Sequence, residues 1–472
     1  MRIREKNFLC VLSVLCVERR RLSHRRRMRI LSITAGAAGM YCGSCLRDNA
    51  LAVELMARGH EVTLLPLYTP TNPDEANVSR NRVLFGGISI YLQQYVPLFR
   101  KTPRFLDRLW DSPAVIRAFA SRSLSVDPKM LGDMTVSMLE GDRGIMRKEF
   151  DKLFDWLAGE PVPDVVNLPN SLLISLARPL RERLHVPICC TLQGEDLFLE
   201  GLVEPYRTKS IDLIRRQVQD VDRFFAVSEY YVPVMARLLG IRADQIPVVP
   251  LGIRLDGYER RTTRDEVFRV GYFARIAPEK GLHALAEAYP LFREKTRRGA
   301  GAPGGDDAAR VRLEVAGYLS REHESYLADV KRGLDEAGLG DEFTYHGAVD
   351  RNGKLAFLRT LDVLSVPAPY DEPKGVFLLE AMASGVPVVQ PRRGSFTEMV
   401  EKTGGGLLVA PDDPAALADG LYALWKDRDR ARALGDRAYN GVRAHYSIQR
   451  SADAQLAVYE DLIAQPRLAA SR

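Results

Sequence analysis

Residues 370–389, YDEPKGVFLLEAMASGVPVV, join the end of one apolar strand to a helix and then to a second apolar strand. The pattern predicts a strand end near Ala368, a helix beginning near Gly375 or Val376, and a helix end at Gly385. This order is typical of a parallel sheet covered by helices. In open sheets of this kind, ligands bind where the carboxyl ends of the strands meet the helix starts.

Two carboxylates, Glu372 and Glu380, flank this predicted helix start. The free N–H groups of Val376 and Phe377, which follow Gly375, can hold phosphate oxygens. Glu380, inside the helix, can accept hydrogen bonds from the two vicinal hydroxyls of a ribose. Glu372 would then lie beyond the phosphates, near a sugar. The stretch therefore predicts a site for a nucleotide-diphospho-sugar.

A second stretch, FARIAPEKG at residues 273–281, places two cations between a predicted strand and a helix. Arg275 and Lys280 would lie close to another helix start at the same edge of the sheet. Two cations suit a diphosphate leaving group that has no metal to neutralise it.

Strands alternate with helical patterns through most of the chain, which predicts two α/β domains with parallel sheets. The first begins with a strand at 30–34, a helix running to about Arg58 and a strand at 61–67, and the domains join near 252–266. The further predicted strands are residues 164–169, 186–192, 223–228, 246–253, 267–273, 312–317, 343–347, 362–368, 386–391 and 405–411.

Residues 92–160 read as helices with no clear strand, and we interpret them as a helical insertion in the first domain. Their amphipathic faces favour packing over membrane contact. A last helical pattern covers residues 451–465. The domains are therefore expected at 28–253 and 254–445, with 446–472 as a C-terminal helical segment.

The net charge of +6 comes from residues 1–27, which hold nine basic and two acidic residues, while the remainder is close to neutral. The charge of the remaining chain therefore gives no support for nucleic-acid binding. For residues 1–27 we favour a start assigned too far upstream over a basic membrane-surface anchor, and either over a signal peptide. The six cysteines form no disulfide framework, which predicts a cytoplasmic location, with the inner face of a membrane left open.

Taken together, these motifs resemble the family 4 retaining glycosyltransferases of GT-B fold. The resemblance runs from Met28 to about Leu462 and includes residues 58–62, RGHEV, and 404–414, GGGLLVAPDDP. It implies two Rossmann-like domains facing a cleft, with the donor mostly on the second domain and the acceptor on the first. It also implies that the final helix crosses back onto the first domain.

By this resemblance, Glu372 and Glu380 correspond to the family's carboxylate pair, and Arg275 and Lys280 correspond to its phosphate-binding cations. It implies transfer with retention at the anomeric carbon and without a metal or cofactor, to an acceptor that is a sugar, glycan or lipid. Gly39 and Gly43 fall in the family's Gly-rich loop, which is expected to contact the acceptor or the phosphates.

One departure concerns the loop after residues 186–192, where the family usually has a His beside the donor sugar. Here Gln193 stands at that position, while Gly194 and Asp196 are kept. Gln193 and Asp196 are expected to face the sugar together with Glu372, although Gln cannot take a charge. A nucleotide-sugar-binding protein without transferase activity is therefore the alternative.

Two further patterns resemble metal sites, but other roles are favoured for both. Cys42 and Cys45 have a C-x-x-C spacing but no second pair of ligands, so the Gly-rich loop is favoured over a metal or redox site. Residues 220–222, DVD, precede a strand far from the donor motifs and favour a structural role. No metal site is predicted.

Overall fold

The computed structural model describes residues 26–36, 43–80, 83–85, 128–260, 266–299 and 310–464. Within these ranges the chain forms two α/β domains, each built on one parallel sheet. The predicted fold class of two Rossmann-like domains is therefore confirmed.

The first domain has a five-stranded sheet of order β2-β1-β3-β4-β5 in which all neighbours are parallel. Its strands are β1 (Arg29–Thr34), β2 (Glu61–Pro66), β3 (Val165–Leu168), β4 (Ile188–Leu192) and β5 (Arg223–Ala226). Every residue of β3 and β4 is buried, as expected for central parallel strands covered on both faces.

Seven helices of the first domain lie among the described residues. They are α1 (Gly43–Ala57), α2 (Pro128–Glu140), α3 (Arg147–Leu157), α4 (Ala177–Leu184), α5 (Asp196–Glu200), α6 (Tyr206–Gln217) and α7 (Tyr231–Leu239). Helices α2 and α3 fall within the predicted helical insertion, whose residues 92–127 lie outside the described ranges. Phe150 and Leu153 of α3 are fully buried in the first domain's core, which supports packing as the role of this amphipathic face.

The second domain has a six-stranded sheet of order β11-β10-β9-β6-β7-β8, again parallel. Its strands are β6 (Phe268–Phe273), β7 (Val311–Ala316), β8 (Phe343–Tyr345), β9 (Val363–Leu364), β10 (Val388–Pro391) and β11 (Gly406–Val409). Its helices are α8 (Leu282–Gly299), α9 (Glu324–Glu336), α10 (Arg351–Thr360), α11 (Val376–Ala383), α12 (Gly394–Thr403), α13 (Pro414–Lys426) and α14 (Arg428–His445).

Two strand predictions were wrong in extent. Residues 246–253 form only isolated bridges, one between Val248 and Ala226 and one between Ile253 and Ser447. Residues 362–368 form the two-residue strand β9. Prolines explain both results, because Pro247, Pro250 and Pro367 have no N–H to continue a ladder.

The last helix, α15 (Ile448–Ala464), follows the second domain but packs against the first. Ala452, Leu456 and Tyr459 are buried in one cluster with Met28 and Ala50. The chain therefore crosses between the two domains twice.

Candidate functional site

A cavity of about 370 Å³ lies between the two domains, at the carboxyl ends of strands from both sheets. Gly36 and Asp74 line it from the first domain, and Lys354 and Lys374 are among the lining residues of the second. The predicted site residues that line it are Gly43, Arg275, Lys280, Glu372, Gly375, Val376, Phe377 and Glu380. The two sequence stretches separated by almost one hundred positions therefore meet at one place.

Glu372 is buried in the wall of this cavity and is paired with Lys280. One carboxylate oxygen accepts from Lys280 Nζ and from the hydroxyl of Tyr370, while the backbone N–H of Lys374 approaches the other at 3.3 Å. Lys280 Nζ also donates to the Tyr370 hydroxyl at 2.7 Å. The expected sugar-binding carboxylate and one expected phosphate-binding cation thus form a single hydrogen-bonded group.

The protonation of this group follows from its charges. Burial alone would raise the pKa of Glu372, but the Lys280 ammonium and the Tyr370 hydroxyl lower that pKa to about 2. Burial and the neighbouring Glu372 raise the pKa of Tyr370 well above its ordinary value. At neutral pH the carboxylate is therefore ionised and the phenol is a hydrogen-bond donor.

Arg275 is half-buried and pairs with Glu279 four residues later. Its neighbour in the motif, Lys280, ends a short 3-10 turn, and Gly281 follows in the left-handed conformation with φ of 74°. A Cβ at Gly281 would lie 2.1 Å from the carbonyl oxygen of Pro367, so only glycine lets this loop close against the end of β9. That close approach brings Lys280 to Glu372.

Glu380 lies inside α11 and is 2% exposed. Its Oε1 accepts from the Tyr258 hydroxyl at 3.0 Å and from Lys354 Nζ at 2.6 Å. Lys354 also pairs with Asp74, which belongs to the first domain. Burial alone would lower the pKa of Lys354, but the Glu380 and Asp74 carboxylates raise it, so Lys354 remains charged.

The start of α11 has the geometry that the sequence predicted. Gly375 precedes the helix with φ of 63°, and Val376 and Phe377 open the helix and line the cavity. A Cβ at Gly375 would come within 3.2 Å of the Phe396 ring, a tight contact, and the left-handed backbone at this position favours glycine. N–H groups at such a helix start have no intrahelical partner and are suited to an anion.

Gln193 and Asp196 are held by groups of the first domain. Gln193 Nε2 donates to the Pro169 carbonyl at 2.8 Å, and Asp196 Oδ1 accepts from the Tyr231 hydroxyl at 2.5 Å. Between them Gly194 abuts Pro373, since a Cβ there would lie 3.0 Å from the proline ring. The turn therefore borders the loop that carries Glu372, while direct contact of either side chain with a sugar stays a prediction.

The remaining predicted positions have mixed outcomes. Gly43 begins α1 and lines the cavity, whereas Gly39 and Cys42 lie outside the described residues. Asp222 accepts from the Ile188 N–H at 2.7 Å and pairs with Arg181, a structural role as expected. Across the part of the chain that the structure describes, no group of three or more His, Cys, Asp or Glu residues is arranged to hold a metal.

Two family models match the two domains in turn. Residues 48–252 match the model described as "Glycosyl transferase 4-like domain", and residues 259–441 match "Glycosyl transferases group 1". The two matches lie in tandem and together cover most of the chain.

The names of similar proteins agree with these two matches. The lipopolysaccharide core biosynthesis mannosyltransferase LpsB of Rhizobium meliloti is 35% identical over 41% of this chain and 52% of its own length. The phosphatidyl-myo-inositol mannosyltransferase of Mycobacterium leprae is 30% identical over 51% of this chain and 57% of its own. The chain thus spans about half the length of these curated relatives.

Solved structures share the fold of this chain. A sucrose-phosphate synthase from Thermosynechococcus elongatus superposes with a TM-score of 0.65 over 93% of this chain and all of its own, at 19% identity. Anabaena HepE in complex with UDP and glucose gives 0.61 over 92% of this chain and all of its own, at 16% identity. No helix among the described residues is long and apolar enough to cross a membrane.

Sequence reasoning missed several residues that line the cavity or bond to its carboxylates, namely Asp74, Tyr258, Lys354, Tyr370 and Lys374. Lys354 had a detectable signal, because it shares the buried face of α10 with Leu358 one turn later. A lysine on the apolar face of an amphipathic helix indicates a buried ionic partner. Lys374 had no such signal, and its Nζ donates to the hydroxyl of Ser44 across the cleft at 2.7 Å.

Proposed function

We propose that this protein is a glycosyltransferase that moves a hexose from a nucleotide-diphospho-sugar to an acceptor, with retention at the anomeric carbon and without a metal. The observation that carries the proposal is the meeting of Arg275, Lys280, Glu372 and Glu380 around one cavity between the two domains. The first two residues suit the diphosphate, and the carboxylates suit hydroxyl groups.

The donor would bind mainly to the second domain. Its diphosphate lies between the two cations and the open start of α11, so that the developing charge on the leaving group meets fixed donors. Glu380 accepts from the ribose, and Glu372, held ionised by Lys280, accepts from hydroxyls of the transferred sugar. These contacts orient the anomeric carbon toward the first domain.

In the proposed transfer, the bond between the anomeric carbon and the diphosphate oxygen breaks on the face that the acceptor hydroxyl attacks. The leaving phosphate oxygen takes the acceptor's proton, so the new bond has the configuration of the old one. Arg275 and Lys280 stabilise the diphosphate that departs. No side chain of this scheme has to titrate, so Gln193 is compatible with it.

The relatives named above are mannosyltransferases of a lipopolysaccharide core and of a phosphatidylinositol. Their names favour a hexose donor and a glycan or lipid acceptor for this chain. Cys189 and Cys190 are buried free thiols, and free thiols are usual in a reducing compartment. We therefore place the reaction in the cytoplasm, with access to an acceptor at the inner membrane face.

Calorimetry with uridine, guanosine and adenosine diphosphates and their sugars tests the donor site. We expect at least one nucleotide to bind, and Glu380→Ala to weaken that binding about tenfold, since a charge-assisted hydrogen bond is lost. Glu401→Ala, which removes an exposed carboxylate paired with Arg392, is the matched control and should leave affinity unchanged. Equal affinities in wild type and Glu380→Ala would remove Glu380 from the site.

The alternative is a protein that binds the nucleotide sugar without transferring it, and Gln193 in place of the usual His favours it. Incubation with the tightest donor and analysis of nucleotide release separate the two functions. Slow release of the nucleoside diphosphate, through transfer to water, supports the transferase. Tight binding with no release from any donor, with or without added acceptors, supports the alternative.

A further inference from the structure

A loop of the first domain that holds two acidic residues, Asp74 and Glu75, contacts the second domain. Glu75 pairs with Arg351 at 2.9 Å, and Asp74 pairs with Lys354 through Oδ2. Lys354 Nζ also donates to Glu380 Oε1 at 2.6 Å. Lys354 therefore lies between one carboxylate from each domain.

Asp74 differs from its neighbour Glu75 in that it lines the cavity together with Glu380. Its second carboxylate oxygen, Oδ1, is buried and makes no hydrogen bond to the described residues, as is also true of Glu75 Oε2. A buried carboxylate oxygen without a partner costs free energy, which a ligand hydroxyl would recover.

Because both carboxylates bond to one ammonium nitrogen, they are no more than two hydrogen-bond lengths apart. The vicinal hydroxyls of a ribose offer two donors at a spacing that such a pair of carboxylates can receive. One lysine and two carboxylates also leave a net negative charge, which favours hydroxyl donors and disfavours an anionic group at this place.

We propose that Asp74 is a donor-binding residue contributed by the first domain, and that its Oδ1 accepts from one ribose hydroxyl while Glu380 accepts from the other. This inference rests on the proposed nucleotide-sugar donor. It makes the ribose a contact of both domains, so that the nucleotide itself stabilises the closed cleft. Lys354 acts as a positioning residue that fixes the two carboxylates relative to each other.

The test is calorimetry of the tightest nucleoside diphosphate and its 2′-deoxy and 3′-deoxy forms with wild type, Asp74→Ala and Glu75→Ala. For wild type we expect removal of either hydroxyl to weaken binding about tenfold, the usual effect of losing a hydrogen bond to a charged group. In Asp74→Ala one of these two losses should disappear and the other remain. Glu75→Ala, which removes a neighbouring contact between the domains, should keep both losses.

Both losses retained in full in Asp74→Ala would overturn the inference. A wild-type protein that binds a nucleotide but is insensitive to both hydroxyls would also overturn it, and this measurement needs no variant to fold. If no nucleotide binds wild type, the proposed function itself fails. Thermal unfolding of each variant shows whether a loss of binding is a loss of folding.

Discussion

Replacing Lys280 with Met would remove the cation that pairs with buried Glu372. In the wild-type protein, the pKa of Glu372 is about 2 instead of the ordinary 4.5. A carboxyl whose pKa is lowered by folding stabilises the folded state above its unfolded pKa, and this contribution is lost as the pH falls from 4.5 toward 2. The lowered pKa corresponds to about 3 kcal/mol at neutral pH.

Without the ammonium, burial is the largest influence that remains on Glu372, and its pKa should rise above 4.5. A carboxyl whose pKa is raised by folding destabilises the folded state as the pH rises through the folded pKa. We therefore expect Lys280→Met to lose about 3 kcal/mol of unfolding free energy at pH 7, the usual scale for breaking a buried pair. This loss should shrink below about pH 4.5, where Glu372 takes up a proton.

Urea unfolding at pH 7 and pH 4 measures both values, and hydrogen exchange of the β6 amides assigns the loss to the second domain. Lys295→Met is the matched control, because Lys295 pairs with Asp419 on the surface of the same domain, with exposures of 38% and 64%. It should change stability by less than about 1 kcal/mol at either pH. Equal losses in the two variants at pH 7, or a loss in Lys280→Met that does not depend on pH, would refute the pairing.

Three further outcomes are expected. Gln193→Ala should leave nucleotide affinity unchanged and slow nucleotide release from the donor by about tenfold or more, because the turn that holds Gln193 borders the Glu372 loop and not the nucleotide. A parallel loss of affinity would place Gln193 at the nucleotide. Lys374→Met should raise the donor KM about fivefold by removing the 2.7 Å contact with Ser44 across the cleft, and a cycle with Ser44→Ala that gives additive effects would contradict this. EDTA should leave nucleotide affinity unchanged, because Arg275 and Lys280 supply the positive charge, and a requirement for added Mg²⁺ would count against that role.

Most of the fold could be predicted from the sequence because its strands are mostly apolar runs bounded by turns. Residues 188–192 and 268–273 show this clearly, with their burial on both faces of a parallel sheet. The prediction failed at 246–253, where apolar residues alternate with prolines. Apolar character alone does not distinguish a strand from an extended segment that has lost its hydrogen-bond donors.

The components of the site could be predicted in part, but their pairing could not. Glu372, Glu380 and the start of α11 are adjacent in sequence, so a local pattern was sufficient. The charged partner of Glu372 is 92 positions away, and one of the two partners of Lys354 lies in the other domain. Which charge neutralises which depends on how the loops close, and a glycine such as Gly281 indicates a close approach without naming the partner.

Because these charges are already paired with each other, the proposed donor would have to rearrange the pairs when it binds. Lys280 is bonded to Glu372, and Arg275 to Glu279. A diphosphate that binds these cations must therefore share them with carboxylates already in place. In the proposed donor complex, the diphosphate would draw Lys280 away from Glu372, and the carboxylate oxygen that is released would accept a hydrogen bond from a sugar hydroxyl. Phosphate binding and sugar orientation would then be coupled through one lysine, although Lys280 and Glu372 are 92 positions apart in the sequence.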